Sequence, residues 1–240
     1  FGSFEGVIKA KTELYHFLEE NNGMQFVNRN DDLLIKKSDK ENRITYGKES
    51  NSDFITKLTS SFPFISVKIK DTEIHSNLVG EFQYDNIVAA SCIGDFYNIS
   101  YQNIKKSIEE YIPRNNRTEL IETENNNIIL DAYNANPSSM EAIIASFIKL
   151  DKDNKMCILG EMRELGIYSE EEHQKLINLM ISSEIECIFV GEEFLNLTKK
   201  NTYLKISALI ENISNYNLKN RTILIKGSRG IKLEDVVKYL

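Results

Sequence analysis

A group of polar side chains ends a short apolar run in the stretch IILDAYNANPSSMEAII. The run leads into Asp131, and Tyr133, Asn134 and Asn136 follow before a predicted helix begins. A carboxylate accepts hydrogen bonds and amides both donate and accept them, so this group could bind a polar ligand. The alternative is that Asn136 only caps the helix and that Asn134 is only a turn residue.

A second polar group lies in LIKGSRG, where Lys226, Ser228 and Arg229 follow a predicted strand. An ammonium, a hydroxyl and a guanidinium together could bind a carboxylate. The phosphate-binding pattern G-x-x-x-x-G-K-[ST] does not occur in the printed sequence, so LIKGSRG is not a nucleotide loop of that kind. The alternative is a solvated turn that starts a helix.

A third strand end, ILGEMRELG, carries Glu161, Arg163 and Glu164. Charges of both signs so close together favour an ion-paired surface loop. The carboxyl ends of parallel strands lie at one edge of a sheet, where ligands bind. Three polar loops at that predicted edge favour a binding site over three unrelated turns.

The stretch YSEEEHQKL begins a predicted helix. Ser169 is followed three residues later by Glu172, which predicts a capping box. His173 comes next, and a structural role is favoured for it because a single histidine without partners is weak evidence for catalysis.

Lys11 falls on the predicted apolar stripe of the first helix, in line with Val7, Leu14 and Leu18. The usual outcome for such a lysine is that its amine reaches water. The alternative is a desolvated amine with a lowered pKa. Such an amine could react with carbon dioxide, and the resulting carbamate could hold a magnesium ion.

The second half of the chain alternates strands and helices. Strands are predicted near Ile128, Met156, Ile185 and Thr222, at about 30-residue spacing, which favours a mostly parallel sheet with right-handed crossovers. A shorter strand and helix, YLKIS and ALIENISNY, fit before the last strand. The helical segments after the four strands are PSSMEAIIASFIKL, SEEEHQKLINLMISS, EEFLNLT and LEDVVKYL, and the apolar residues predicted to face the sheet from the first of them are Met140, Ile143, Ile144 and Phe147.

The first half mixes helices with strands that are partly antiparallel. The predicted helices are FEGVIKAKTELYHFLEE, YDNIVAASCIGDFY and SYQNIKKSIEEYI, and the predicted strands are MQFVNRND, RITYGKES, FPFISVKIK and TEIHSNLVG. The polar segment PRNNRTE is taken as a hinge. The predicted domains are residues 1–116 and 117–240.

Composition excludes several classes of protein. The chain has 240 residues, a net charge of −7 and no basic tract, so nucleic-acid binding is not expected. Its three cysteines, Cys92, Cys157 and Cys187, form no disulfide or zinc pattern, which fits a cytoplasmic protein. No apolar run has the roughly 20 residues of a membrane span. The first residue is Phe1 rather than Met, and we expect the chain to begin within a longer protein.

Five stretches in this order resemble the Mur ligase family of peptidoglycan synthesis: EGVIKAKTELY, NLVGEFQYDNIVAA, DAYNANPSSMEAII, ILGEMRELGIYSEEEH and LIKGSRGIKLEDVV. The resemblance implies an α/β fold. The later part of the family's central ATP-binding domain would be followed by its Rossmann-like C-terminal domain with a mostly parallel sheet. The family's upstream phosphate loop is absent from the printed sequence, so we expect the chain alone not to ligate.

The resemblance also implies roles for residues that bind the nucleotide. Lys11 matches the family's carbamylated lysine, a catalytic residue that helps to hold Mg²⁺. Asn86 matches its adenine-contacting asparagine, although the family's G-x-H-N-x-x-N pattern is altered here. Arg117 matches the hinge arginine at the phosphates, and Asp131 matches the acid that binds the ribose hydroxyls. Tyr133 and Asn134 would then lie near the nucleotide.

The remaining implied residues belong to the acceptor side. Asn136, Lys226, Ser228 and Arg229 match positions near the incoming dipeptide. The loops DAYNANPSSM, GEMRELG and KGSRG are similar to the branch that joins D-alanyl-D-alanine to UDP-N-acetylmuramoyl-tripeptide, using ATP and Mg²⁺ through an acyl phosphate. A cytoplasmic monomer is expected. The alternatives are a non-catalytic nucleotide-binding module and a folylpolyglutamate synthetase-like ligase.

Overall fold

The protein is described by a computed structural model that covers residues 3–61 and 64–240. The chain divides into two units, Phe1–Tyr111 and Ile112–Leu240, and each has a hydrophobic core of its own. The predicted domain boundary between residues 116 and 117 falls just after this division and stays a prediction.

The first unit contains helices and short strands. Its helices are α1 (Phe4–Glu20), α2 (Asp32–Lys37), α3 (Tyr84–Phe96) and α4 (Tyr101–Glu110), and its strands are β1 (Gln25–Asn28), β2 (Arg43–Gly47), β3 (Phe54–Ile55), β4 (Lys57–Ser60), β5 (Phe64–Ile69) and β6 (Thr72–Val79). In the described part of this unit, β1, β2 and β3 form a parallel sheet and β4, β5 and β6 an antiparallel one. The predicted antiparallel pairing is confirmed for β5 and β6, whereas β1 and β2 are parallel. Phe62 and Pro63, part of a predicted strand, lie outside the described residues.

The core of the first unit is one buried cluster that includes apolar residues of α3 and of the antiparallel sheet. Ile65, Val67 and Ile69 alternate with more polar positions along β5, as expected for a strand that buries one face. Ile87 and Val88 of α3 belong to the same buried cluster. The α3 prediction is confirmed, but α2, β3 and β4 were not predicted because they are too short to show a clear periodicity.

Helix α1 buries a different face from the predicted one. Val7 and Leu14 have 36% and 60% of their surface exposed, and Lys11 between them is exposed as well. Thr12 is buried instead, and its hydroxyl donates to a carbonyl oxygen one turn earlier, at 3.0 Å. The prediction that Lys11 lies on a buried stripe is therefore wrong, because an apolar stripe is buried only where another element packs against it.

The second unit is built on one twisted sheet. Its helices are α5 (Pro137–Ile148), α6 (Ser169–Ser183), α7 (Glu192–Leu197) and α8 (Ile206–Glu211), and its strands are β7 (Glu119–Glu122), β8 (Asn126–Asp131), β9 (Lys155–Gly160), β10 (Glu186–Val190), β11 (Thr202–Tyr203) and β12 (Arg221–Lys226). The strand order is β11-β10-β9-β12-β8-β7, and β7 alone is antiparallel within residues 112–240, all of which are described. The predicted mostly parallel sheet is confirmed. The edge strand β7 was not predicted, and Leu233–Tyr239 forms a 3₁₀ helix.

Both faces of this sheet are covered, which explains why its strands are apolar almost throughout. Ile158 and Ile225 belong to the cluster on one face, while the alternating residues Leu159 and Leu224 are also fully buried. The residues of α5 that were predicted to face the sheet are all buried: Met140, Ile143, Ile144 and Phe147.

The strand order determines which loops meet. Strand β12 lies between β9 and β8, and its last residue, Lys226, pairs in register with Leu159 on one side and Asp131 on the other. The carboxyl ends of these three strands therefore lie side by side. The loops that follow them are the three polar loops identified in the sequence.

Candidate functional site

A buried ion pair joins the ends of β8 and β12. The Lys226 Nζ atom donates to Asp131 Oδ2 at 2.6 Å and to the Asn134 carbonyl oxygen at 2.9 Å. Only 2% of the Lys226 side chain and 14% of the Asp131 side chain are exposed. A buried amine needs such partners, since an unpaired charge in the interior is costly. The sequence predicted Lys226 as a ligand of a carboxylate, and in this structure the carboxylate it binds belongs to Asp131.

The second carboxylate oxygen of Asp131 holds the segment before β7. Asp131 Oδ1 accepts a hydrogen bond of 3.1 Å from the Thr118 backbone N–H. Asn115, Asn116 and Thr118 have φ angles of 61°, 59° and 52°. Positive φ is unusual for a β-branched residue such as threonine, so this turn needs external contacts to hold it. Asp131 supplies one of them.

This turn also positions a cation over Tyr133. The Tyr133 backbone N–H donates to the Asn116 carbonyl oxygen at 3.1 Å. The guanidinium of Arg117, the residue after Asn116, lies 3.7 Å from the centre of the Tyr133 ring. The Arg229 guanidinium lies 5.4 Å from the same ring centre. Contacts of this kind are cation–π interactions.

Arg117 and Arg229 are both exposed, while Tyr133 is partly buried between the loops. Guanidinium groups bind phosphate and carboxylate oxygens through paired N–H donors. Two of them around one aromatic ring, next to the Asp131 carboxylate, fit a ligand that has both anionic groups and hydroxyl groups. A nucleotide has that combination.

Asn136 caps helix α5. Its Oδ1 accepts hydrogen bonds from the Ser139 backbone N–H at 2.9 Å and the Ser138 hydroxyl at 3.0 Å, and Ser139 Oγ accepts from the Asn136 N–H at 3.2 Å. The cap predicted for Asn136 is confirmed, with Pro137 in the first turn. The Asn134 side chain is exposed, and its Oδ1 accepts from the next backbone N–H at 3.0 Å.

The GEMRELG loop contacts the KGSRG loop directly. The Arg163 backbone N–H donates to Ser228 Oγ at 3.2 Å, and the Ser228 N–H donates to the Glu161 carbonyl oxygen at 3.4 Å. Arg163 Nε lies 3.5 Å from Glu161 Oε1, so the predicted ion-paired loop is confirmed. A Cβ atom on Gly230 would meet only the guanidinium end of Arg163, an exposed side chain that would have to move aside. Glu164 is exposed.

The start of α6 differs from the prediction. A 3₁₀ turn, Gly166–Tyr168, runs directly into the helix, so Ser169 already has helical backbone angles and does not act as the cap. The predicted capping box is therefore wrong. His173 is fully buried and bonds to backbone atoms on both ring nitrogens, in agreement with the structural role predicted for it.

Two predicted site residues belong to the first unit. The Lys11 side chain is exposed on α1. Asn86 is exposed at the start of α3, and its Nδ2 donates to Gln83 Oε1 at 2.7 Å. The predicted residues that the second unit brings together are Arg117, Asp131, Tyr133, Asn134, Asn136, Lys226, Ser228 and Arg229.

The donor set limits how a magnesium ion could bind. Within residues 3–61 and 64–240, no three His, Cys, Asp or Glu side chains group together as metal ligands. Mg²⁺ often uses only one or two protein carboxylates, with phosphate oxygens and water completing its shell. A Lys11 carbamate together with nucleotide phosphates would fit that chemistry.

A polar cavity lies at the opposite edge of the sheet. Its volume is about 310 Å³, and it is lined by the amino ends of β8 and β12 with their adjoining turns. Asn126 in this cavity donates to the Leu240 carbonyl oxygen and accepts from the Arg221 N–H, so its amide serves the fold. The exposed cations and the carboxylate at the carboxyl edge make that edge the better candidate for a site.

Comparison with protein families agrees with this geometry. Residues 1–94 match the Mur ligase middle domain, and residues 116–229 match the glutamate ligase domain of Mur ligases. The two matches cover most of the chain in the order of the family, and the chain belongs to the Mur ligase family. The predicted family and fold class are confirmed.

Two relatives with similar sequences carry the same enzyme name. The chain is 29% identical over 255 residues to the UDP-N-acetylmuramoyl-tripeptide–D-alanyl-D-alanine ligase of Bacillus subtilis, which covers 100% of this chain and 55% of that relative. It is 31% identical over 260 residues to the ligase of the same name from Haemophilus influenzae, covering 100% of this chain and 56% of the relative. The chain thus spans about half the length of these curated relatives.

Solved structures show the same fold. MurF from Acinetobacter baumannii superposes with a TM-score of 0.83 at 22% identity, covering 100% of this chain and 56% of that one. MurF from Thermotoga maritima, solved in complex with ADP, has a TM-score of 0.70 at 19% identity, covering 90% of this chain and 52% of that one. In the described part of this chain, no helix has the length and apolar character needed to cross a bilayer.

Proposed function

We propose that this chain is part of an ATP-dependent ligase that adds D-alanyl-D-alanine to UDP-N-acetylmuramoyl-tripeptide. The relatives from Bacillus subtilis and Haemophilus influenzae carry the name of that activity. The single observation that carries the proposal is the group of side chains at the carboxyl edge of the sheet. This group contains the Asp131–Lys226 ion pair and the Tyr133 ring with the guanidinium groups of Arg117 and Arg229 over it.

The nucleotide is assigned to the Asp131 side of this edge. Asp131 would bind the ribose hydroxyls, with Lys226 and the Thr118 N–H holding its carboxylate in place. Arg117 would bind the phosphates, with Tyr133 and Asn134 close to the nucleotide. Asn86, which belongs to the proposed domain of residues 1–116, would contact the adenine.

The dipeptide is assigned to the neighbouring loops. Arg229 is exposed next to the Tyr133 ring, where its guanidinium could bind the terminal carboxylate of D-alanyl-D-alanine. Ser228 and Asn136 border the same region, within the proposed residues 117–240 domain. Lys226 would contribute there indirectly, because its Nζ atom holds the Asn134 carbonyl oxygen and the Asp131 carboxylate in place.

The proposed reaction has two steps. The terminal carboxylate of the UDP-linked tripeptide attacks the γ-phosphorus of ATP, which gives an acyl phosphate and ADP. The amine of the dipeptide then attacks the acyl carbon, and the tetrahedral intermediate expels phosphate and loses a proton to form the amide. Guanidinium groups stabilise the negative charge that develops on the transferred phosphoryl group.

Lys11 and Mg²⁺ are assigned to the phosphate side of the reaction. A carbamate on Lys11 would be one ligand of the ion, and the ion would neutralise phosphate charge when bound. The substrates are soluble nucleotide-linked and dipeptide molecules, so we place the reaction in the cytoplasm and expect a monomer to suffice.

The test is an assay of the complete protein with all three substrates. We expect phosphate release only when ATP, UDP-N-acetylmuramoyl-tripeptide and D-alanyl-D-alanine are present together, with the pentapeptide product confirmed by mass spectrometry. A parallel assay with ATP, a folate and glutamate separates this activity from that of a folylpolyglutamate synthetase-like ligase. ATP binding without any product would support a nucleotide-binding module instead.

A further inference from the structure

The buried histidine of α6 contacts the site loops. The Met162 backbone N–H donates to His173 Nε2 at 2.9 Å. His173 Nδ1 lies 2.7 Å from the Ser169 carbonyl oxygen, one helical turn earlier, and the imidazole packs edge-on against Phe194 with 4.7 Å between ring centres. Both His173 and Phe194 have no exposed surface.

These partners require one tautomer of the imidazole. A carbonyl oxygen can only accept a hydrogen bond, so Nδ1 must carry the proton that bonds to Ser169. A backbone N–H can only donate, so Nε2 must be the unprotonated acceptor for Met162. The His173 ring therefore accepts a hydrogen bond from the loop at Nε2 and donates one to its own helix from Nδ1.

The loop that His173 holds is bonded to the KGSRG loop on its other side. Arg163, next to Met162, donates its backbone N–H to Ser228 Oγ, and the Glu161 carbonyl oxygen accepts from the Ser228 N–H. Ser228 is followed by Arg229, whose guanidinium lies over Tyr133. A continuous path of contacts thus runs from His173 through residues 161–163 to the exposed cation.

We propose that His173 is a positioning residue that sets the Ser228–Arg229 segment for binding of the dipeptide carboxylate. This inference rests on the proposed function, because it assigns that segment to the dipeptide. Asp131 has its own contacts with Lys226 and Thr118, which do not pass through His173. Loss of the His173 acceptor therefore disturbs the dipeptide side and leaves the nucleotide side largely unchanged.

Two substitutions separate this role from simple packing. His173→Gln can place an amide oxygen near the position of Nε2 and so keeps an acceptor for the Met162 N–H. His173→Asn is smaller and can keep a donor for the Ser169 carbonyl, but it cannot reach Met162. Lys175→Ala, at an exposed position of the same helix, is the matched control.

The first measurement uses the 240-residue chain and needs no activity. Hydrogen exchange read by NMR reports the Met162 amide directly. We expect strong protection in the parent and Lys175→Ala chains, partial protection in His173→Gln, and at least tenfold faster exchange in His173→Asn. Equal protection of Met162 in all four chains would overturn the proposal, whatever the enzyme's reaction proves to be.

The second measurement uses the complete protein. We expect the KM for D-alanyl-D-alanine to rise about tenfold in His173→Asn. A misplacement of about 1 Å can cost about a hundredfold in rate, and the displacement expected here is smaller. The KM for ATP should change less than twofold, and His173→Gln should recover most of the loss. Equal increases in both KM values, or an Asn variant that outperforms Gln, would show that His173 only supports the fold. If the parent protein forms no product, the proposed function fails while the exchange result still stands.

Discussion

The predicted site residues of the two units have contrasting surroundings. In the second unit, the buried Lys226 pairs with the largely buried Asp131, in register on the adjacent strand. In the first unit, Lys11 and Asn86 lie on exposed helix surfaces, and Asn86 donates a hydrogen bond to Gln83, three residues earlier. A parallel sheet gathers residues that are about a hundred positions apart in sequence, because its strands all end at one edge. A single helix offers only its own neighbours three or four residues away.

The contrast predicts where a substitution affects folding and where it affects only function. Removing one member of a buried ion pair leaves an uncompensated charge, so the fold loses stability. Removing an exposed helix lysine leaves the fold almost unchanged. The experiments below test this difference from the largest expected effect to the smallest.

Lys226→Met should give the largest change. The variant keeps the length of the side chain but leaves the Asp131 carboxylate without its cation, which should lower the free energy of unfolding by about 3–5 kcal/mol. Urea unfolding of the chain, followed by circular dichroism, measures this. The double variant Lys226→Met/Asp131→Asn should recover much of the loss, since no buried charge remains. A double variant as unstable as the single one would show that the pair contributes through packing alone.

Lys11→Ala should change activity and not stability. If Lys11 carries the implied carbamate, the complete protein should lose ligation by about a hundredfold or more, because an anionic ligand of the catalytic metal is gone. The unfolding midpoint should stay the same, since the side chain is exposed. Lys9→Ala on the same helix is the control and should keep full activity in the phosphate-release assay. Near-normal turnover of Lys11→Ala would refute the role assigned to Lys11.

Asn136→Ala tests whether a predicted ligand residue is also structural. Loss of the α5 capping box should lower the free energy of unfolding by about 1 kcal/mol. Glu141→Ala, at an exposed position of the same helix, should leave the stability unchanged. Chemical unfolding of the two variants provides the comparison. If Asn136→Ala were as stable as Glu141→Ala, the side chain would be available for ligand binding at no cost to the helix.

Asp53 gives the smallest predicted effect and concerns the first unit. Hydrogen bonds from the Thr45 backbone N–H and hydroxyl hold the pKa of the Asp53 carboxyl below its usual value. Because the folded pKa is lowered, this contribution to stability is present above a pH of about 4 and is lost as pH falls through the folded pKa. Asp53→Asn should therefore show a weaker loss of stability between neutral pH and pH 3 than the parent chain.

Urea midpoints across that pH range, followed by tyrosine fluorescence, measure the Asp53 effect. Asp71→Asn, at an exposed position of the same unit, is the control and should behave as the parent. An identical acid response of the Asp53 and Asp71 variants would mean that the Thr45 hydrogen bonds contribute nothing measurable.

Much of the fold follows from patterns within single segments. The predicted helix SEEEHQKLINLMISS coincides with α6, and YDNIVAASCIGDFY contains α3. The buried residues of α5 and the parallel sheet also follow from periodicity and strand spacing. The elements that were not predicted, such as α2 and β7, are short. Strand β7 also follows the Asn115–Thr118 turn, in which Thr118 has a left-handed φ angle that is unusual for a β-branched residue.

The sequence predicted which residue types form the candidate site, but it did not predict the contacts between them. The sequence marks Asp131, Lys226 and Arg229 as polar groups at strand ends. It does not show that Lys226 binds Asp131, because this depends on β12 lying next to β8, a pairing between the first and last long strands of the unit. The link from His173 to Met162 depends in the same way on how α6 packs.

The sequence by itself determined the longer strands and helices and the chemical groups at the strand ends, because hydrophobic periodicity depends on residues close together in the chain. Tertiary structure decided which of those groups meet and which are buried. It turned Lys226 from an expected ligand into the partner of Asp131, and it left Lys11 exposed on a face expected to be covered. The physical reason is that burial and ion pairing depend on elements distant in sequence, and those distances are set only when the strands take their order in the sheet.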